Sequence, residues 1–122
     1  MKIQIDRYTP VPSISIIGCE KSFGLEHLKL VFSREWRSLK KYVTLYPSPD
    51  DTDAIVIEYK NTPIELPKRI YDKAGVCRYV VSGESKNKRI VTKTGYLTIL
   101  KAPEPLPESS PIDTKKRKGV AL

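Results

Sequence analysis

Apolar and polar residues alternate through the second half of the chain, in runs too short to be ordinary helices. Each run places apolar or aromatic side chains at every second position, a period typical of β-strands with one buried face. Turn-forming residues separate the runs. This pattern predicts strands and leaves almost no room for a helix. The predicted strands are residues 54–59, 76–82, 89–93 and 96–100.

The first half of the chain shows similar alternation. Leu25, Leu28 and Phe32 also recur at helical spacing, but Gly24 and the surrounding strand patterns favour a strand there. The remaining strands are predicted at residues 2–6, 13–17, 25–32 and 39–46.

Two prolines bracket the segment from Pro63 to Pro67. Proline has no N–H to give to a sheet, so this segment is expected at a sheet edge or in an extended crossover. Residues 68–75 are expected to form one helical turn closed by glycine.

Eight or nine short strands recur at intervals of about 10 residues, which is typical of an all-β sandwich or barrel. We therefore predict a β-sandwich of about eight short antiparallel strands over residues 1–102. Residues 103–122 contain closely spaced prolines and a basic run. They are expected to form an extended or disordered linker and tail.

Basic residues outnumber acidic residues by 22 to 14, a formal charge of +8, and residues 1–102 alone hold 18 basic and 11 acidic groups. A basic surface can attract nucleic acid, or it can be an ordinary solvated surface. Lys40 and Lys41 adjoin a tyrosine, which suits charge and stacking contacts to single strands. The candidate anion or nucleic-acid contacts are Lys86, Lys88, Arg89, Lys115, Lys116, Arg117 and Lys118.

The residues needed for catalysis or metal binding are sparse. His27 is the only histidine, and no phosphate-binding or nucleophile motif occurs. An acidic cluster is formed by Asp50, Asp51 and Asp53, but it lacks the spacing of a calcium loop. A simple turn is therefore favoured over a calcium site. We expect no enzyme activity and no cofactor.

Two cysteines, Cys19 and Cys77, are too few for a disulfide framework, and buried free thiols are favoured over a single bridge. No apolar run reaches the roughly 18 residues of a membrane span, and the first residues do not form a secretory signal. We expect no membrane partner.

Trp36 is the only tryptophan, and the sequence is consistent with packing either in the core or at an interface. The candidate interface residues are Trp36, Tyr42, Tyr46, Pro63 and Pro67. The prolines would blunt one sheet edge and leave another edge to accept a strand.

An ordered series of segments, about half of the chain, resembles the N-terminal β-sandwich domain of phage baseplate upper proteins of the lactococcal siphophage type. A tryptophan-led strand comes first, followed by an apolar-x-apolar-Pro segment that ends in glycine, and then by the closing strands. The first 30 residues carry no motif of that family, and the chain stops after the proline linker where family members continue. The matching segments are residues 36–46, 64–75, 76–82, 89–92 and 95–99.

The resemblance implies an immunoglobulin-like sandwich without catalysis or cofactor, which forms homo-oligomers and contacts other phage tail or baseplate proteins. It implies a location in the virion after assembly in the bacterial cytoplasm. We therefore expect a structural component of a phage or prophage tail. The alternatives are a basic nucleic-acid-binding β-domain and a small adaptor of another complex.

Overall fold

A computed structural model describes residues 1–49 and 52–103. The described chain is mostly β-structure, with two single 3₁₀ turns at Arg34–Trp36 and Lys68–Tyr71. The strands are β1 (Lys2–Asp6), β2 (Thr9–Val11), β3 (Ile14–Cys19), β4 (His27–Phe32), β5 (Lys40–Tyr46), β6 (Ile55–Tyr59), β7 (Ile64–Glu65), β8 (Gly75–Glu84), β9 (Arg89–Val91) and β10 (Gly95–Leu100).

The strands form two sheets. The smaller sheet has the order β2-β1-β4-β7, and the larger sheet has the order β3-β10-β8-β5-β6. The short strand β9 pairs with the far end of β8, beyond the part of β8 that pairs with β10. The all-β prediction is confirmed, and the described residues form ten strands where about eight were predicted.

The prediction of antiparallel strands is wrong for two pairs. Strand β1 runs parallel to β4, and β3 runs parallel to β10, so both sheets are mixed. Parallel neighbours need a crossover connection, whereas antiparallel neighbours can be joined by a hairpin. Here the chain leaves β1 through the β1–β2 hairpin and crosses to the larger sheet after the cis Val11–Pro12 bond. Alternation along one strand carries no information about such a crossover.

Side chains from the inner faces of both sheets meet in one core, as the predicted alternation requires. In β5, Val43 and Leu45 are fully buried, while Tyr42, Thr44 and Tyr46 lie on the opposite face. The smaller sheet contributes Ile3, Ile5, Leu28 and Leu30, and the larger sheet contributes Val43, Leu45, Cys77, Tyr79, Val81, Leu97 and Ile99.

Trp36 closes this core at one end. Its side chain is fully buried, packs 5.0 Å from the Phe32 ring centroid, and donates a hydrogen bond from Nε1 to the Arg7 carbonyl. Of the two roles that the sequence left open, the structure therefore assigns Trp36 to the core.

Tyr59, at the end of the edge strand β6, ties the two sheets together. Its hydroxyl accepts a hydrogen bond from the Leu30 N–H (3.0 Å) and donates one to the Leu30 carbonyl (3.3 Å). The predicted edge segment forms β7, which pairs with β4 only at His27 and Leu28. Because β7 does not extend as far as Leu30, the Tyr59 hydroxyl provides the hydrogen-bond partners that the Leu30 N–H and carbonyl would otherwise lack on that side.

Candidate interaction surfaces

The outward face of the larger sheet is unusually apolar for a surface that faces solvent. Antiparallel sandwich sheets usually present polar side chains on the outer face. Here Ile14 and Ile16 in β3, Val56 in β6 and Val76 in β8 are 54–63% exposed. We call this surface the apolar face. Its members are Ile14, Ile16, Tyr42, Tyr46, Val56, Val76, Val80, Val91, Tyr96 and Leu100.

Strand register brings the members of the apolar face onto neighbouring strands. Ile14 is level with Tyr96, and Tyr96 is level with Arg78 in the next strand. One step along, Val80 is level with Thr44, and Thr44 with Val56. Side chains in register on adjacent strands are in contact distance of one another. The exposed apolar side chains therefore lie on neighbouring strands across the outward side of the larger sheet, with Arg78 and Thr44 between some of them.

Among the residues that the structure describes, two charged side chains, Arg78 and Glu58, lie between the members of the apolar face. Arg78 sits 5.2 Å from the centroid of the Tyr46 ring and donates to the carbonyls of Ser48 and Pro49, both at 3.4 Å. Glu58 is half-buried and level with Tyr42. The two charges cancel, so the face has almost no net charge.

The outward face of the smaller sheet has the opposite character. Lys2 is level with Lys29 across the β1–β4 pair, and Gln4 is level with Val31. His27 and Asp6 also lie exposed on this side. This face is charged and polar, as expected for a sheet that remains in contact with water.

A second surface lies at one end of the sandwich. The strand directions bring together the ends of β1, β4, β6 and β8 and the starts of β5 and β9. We call this end the basic pole, and it carries nine basic and three acidic side chains, a net charge of +6. The basic side chains are Arg7, Arg34, Arg37, Lys40, Lys41, Lys60, Lys86, Lys88 and Arg89, and the acidic ones are Asp6, Glu35 and Glu84.

An open cleft of about 310 Å³ lies at the basic pole. Lys41 shares the inward face of β5 with the buried core residues, at the point where the core opens to solvent. Its Nζ lies 5.3 Å from the centroid of the Phe32 ring and donates to the Leu39 carbonyl at 2.9 Å. The cleft is lined by Leu30, Phe32, Ser33, Arg34, Trp36, Arg37, Lys41 and Asn61.

Glu35 connects the loops of the basic pole. Its carboxylate accepts a hydrogen bond from Arg7 Nε at 3.2 Å, and its carbonyl accepts one from Lys88 Nζ at 2.6 Å. A hydrogen bond from Ser33, together with a backbone hydrogen bond and the Arg7 charge, lowers the pKa of Glu35 below its usual value. An ionised Glu35 therefore joins the first 3₁₀ turn to both the β1–β2 turn and the β8–β9 hairpin.

The predicted interface residues fall in three places. Tyr42 and Tyr46 lie half-buried on the apolar face, whereas Pro63 and Pro67 flank the edge strand β7 of the smaller sheet. Trp36 is in the core. The structure therefore does not bring these five residues together into one surface.

The predicted anion contacts divide between described and undescribed residues. Lys86, Lys88 and Arg89 lie at the β8–β9 hairpin and belong to the basic pole. Lys115, Lys116, Arg117 and Lys118 lie outside the described residues, as do Asp50 and Asp51 of the acidic turn.

Sequence reasoning missed most of the apolar face, although β8 and β10 carried a signal. Val76, Val80, Tyr96 and Leu100 stand at positions where simple alternation calls for polar residues. A strand that is apolar on both sides is typical of a sheet covered on both faces. Arg34 and Arg37 lie at the first 3₁₀ turn, and only the fold brings Lys88 of the β8–β9 hairpin to that turn, where it donates to the Glu35 carbonyl.

Both thiols are free. Cys77 is buried in the core, and burial raises the pKa of its thiol to about 11. Cys19 is half-buried, and His27 is exposed on the polar face of the smaller sheet. Within residues 1–49 and 52–103, no three histidine, cysteine, aspartate or glutamate side chains cluster as metal ligands would.

No protein-family model matches the chain, and no curated protein matches it. None of the helices in the described part of the chain has the length and apolar character needed to cross a membrane.

Proposed function

We propose that this chain is a non-catalytic structural subunit that self-associates, and that a second copy of the chain covers its apolar face. The proposed setting is a phage or prophage tail or baseplate, where further tail proteins are the neighbouring partners.

The contrast between the two outward faces carries the proposal. Seven large apolar side chains on the outward face of the larger sheet are 38–63% exposed, while the smaller sheet presents lysines and other polar groups beside the two valines Val11 (48% exposed) and Val31 (37% exposed). Contiguous apolar patches above a few hundred Å² are rare on monomers and mark interaction sites. Five strands at a spacing of about 4.8 Å make the face about 20 Å wide, enough for a modest protein interface. Covering this face removes apolar surface from water, which favours association.

The charge distribution favours a second copy as the occupant. The apolar face is nearly neutral, while most of the positive charge of the chain lies at the basic pole. An acidic partner would be steered to that pole rather than to the apolar face. A self-complementary face needs no second kind of partner, because a two-fold axis brings the same residues together. Two sheets can pack in this way with their faces about 10 Å apart.

The setting rests on the resemblance of the second half of the chain to baseplate upper proteins. An immunoglobulin-like sandwich, a place in the virion and assembly in the bacterial cytoplasm all follow from that resemblance. A small adaptor in an unrelated complex would use the same apolar face, and its partner would then be a different protein.

Molar mass in solution tests self-association. Light scattering after size-exclusion chromatography should give a mass of about twice the 13.9 kDa of one chain, or a larger multiple. Val56→Lys places a charge in the apolar face at a 62% exposed edge-strand position, where the folded single chain tolerates it. This variant should elute as a monomer.

Val31→Lys is the matched control, because it makes the same change on the polar outward face of the smaller sheet, where Val31 is 37% exposed. It should keep the wild-type mass. A wild-type protein that stays monomeric at high concentration, or equal effects of the two substitutions, would contradict the proposal.

A further inference from the structure

We propose that the basic pole is a binding site for single-stranded nucleic acid, with the phosphate backbone held by its cations and one base placed against the aromatic floor of the cleft. This site is separate from the apolar face, and its function does not depend on self-association.

Concentrated and largely unpaired charge is the first support. The basic pole holds +6 of the +8 formal charge of the chain. Of its nine cations, Arg7 alone forms an ion pair with a carboxylate among the described residues. Glu84 stands level with both Lys40 and Arg89, so it offsets part of their charge. Lys41 and Lys88 donate to backbone carbonyls, which leaves their charge unpaired by any carboxylate. Cations without a carboxylate partner can neutralise phosphates and release their counterions.

The cleft supplies the second support, because it combines guanidinium groups with an aromatic surface. Arg34 and Arg37 are exposed at its rim, and the half-buried Phe32 ring forms part of its floor. A guanidinium can bind a phosphate through two parallel hydrogen bonds. Bases stack on aromatic rings regardless of sequence. An acidic protein would pair with the cations but would not need the aromatic surface of Phe32.

The position of the ring favours a single strand over a duplex. Phe32 is packed against Trp36 (5.0 Å) and Tyr59 (5.8 Å), with Lys41 Nζ 5.3 Å from its centroid, so its half-buried ring lies recessed in the cleft. A base paired within a duplex cannot leave its stack to reach such a recess without being flipped out. An unpaired base can enter the cleft while flanking phosphates contact the rim.

Fixed loops are the third support. The Arg7 N–H donates to Ser33 Oγ at 2.8 Å, and Glu35 holds both Arg7 and Lys88. These contacts join the β1–β2 turn, the first 3₁₀ turn and the β8–β9 hairpin. A surface whose loops are already held in place loses less conformational entropy when it binds.

Fluorescence anisotropy with labelled single-stranded DNA and RNA oligonucleotides tests the site on the full chain. Both should bind, with an affinity that falls steeply as salt increases. Arg34→Ala with Arg37→Ala should weaken binding by roughly tenfold or more and reduce the salt slope by about 1.4, at about 0.7 for each lost phosphate contact.

Lys2→Ala with Lys29→Ala is the matched control, because it removes two charges from the outward face of the smaller sheet. It should leave the affinity within about twofold and the salt slope unchanged. Residues 104–122 are present in every variant, so the comparison isolates the basic pole. A second pair, Lys86→Ala with Arg89→Ala, should reproduce the loss from the β8–β9 hairpin.

Three results would overturn the assignment. The first is no binding of either oligonucleotide at low salt, and the second is an equal loss from the Arg34/Arg37 pair and the Lys2/Lys29 pair. The third is a competition experiment in which duplex DNA or polyglutamate displaces the labelled oligonucleotide as well as an unlabelled single strand of equal charge does. Equal competition by duplex DNA would show a general polyanion surface, and equal competition by polyglutamate would show a surface for acidic proteins.

Discussion

Three tyrosine side chains in the core place their hydroxyl groups in different surroundings. Tyr59 exchanges two hydrogen bonds with the Leu30 backbone, and Tyr71 donates one to the Ile17 carbonyl at 3.0 Å. The fully buried Tyr79 hydroxyl has no partner among the described residues, and burial raises its pKa to about 12. The same chemical group therefore stabilises the fold at two positions and costs free energy at the third.

Removal of these hydroxyls should change stability in opposite directions. Tyr59→Phe leaves the buried Leu30 N–H and carbonyl unsatisfied, so the free energy of unfolding should fall by about 1–3 kcal/mol. Tyr79→Phe removes an unsatisfied buried hydroxyl and should raise it by about 1–2 kcal/mol. Urea unfolding of both variants beside the wild type measures the difference. A loss of stability in Tyr79→Phe as large as in Tyr59→Phe would show that the Tyr79 hydroxyl has a favourable partner.

At this scale, alternation predicted which face of each strand a tyrosine occupies but not what its hydroxyl contacts. Alternation over residues 39–46 places Tyr42 and Tyr46 on the face opposite Val43 and Leu45, where the structure has them. The partner of Tyr59 depends on Leu30, which lies 29 residues away in the other sheet. No local pattern specifies such a contact.

At the scale of elements, the first 3₁₀ turn is held to the larger sheet by Trp36 over a glycine of β8. A Cβ atom on Gly83 would lie 2.7 Å from the Trp36 ring, closer than packed atoms allow. The absence of a side chain at Gly83 thus makes room for the tryptophan. The hydrogen bond from Trp36 to the Arg7 carbonyl extends this link to the β1–β2 turn.

Gly83→Ala should therefore displace Trp36 and reduce the free energy of unfolding by about 1–3 kcal/mol, as expected for an overpacked core. The emission of the single tryptophan should shift towards longer wavelength as its ring becomes more exposed. Ser82→Ala, at the adjacent outward-facing and half-buried position, is the control and should leave emission unchanged. An unshifted spectrum with wild-type stability in Gly83→Ala would contradict this packing.

Most elements could be predicted from the sequence, since β1, β4, β5, β6 and β8 coincide with alternating runs. The short strand β2 (Thr9–Val11) is not among the predicted strands, and it contains Pro10. Pro10 pairs with Ile5 inside an edge strand, where the missing N–H costs no hydrogen bond to a further strand. The parallel pairs were missed for a different reason, since they depend on a crossover between sheets.

At the scale of the whole molecule, one apolar face and one basic pole divide the surface into regions with different chemistry. The excess of basic residues was evident from composition, but its concentration at one pole depends on strand direction. The apolar face depends on which strands are neighbours in the larger sheet. Composition could therefore suggest a basic binding surface, whereas the location of either surface required the fold.

Methyl NMR spectra at low and high protein concentration test most directly the claim that a second copy covers the apolar face. The methyl signals of Ile14, Ile16, Val56 and Val76 should shift or broaden as concentration rises, while those of Val11 and Val31 on the smaller sheet stay constant. Concentration-independent signals from the apolar face, or changes confined to Val11 and Val31, would contradict the claim.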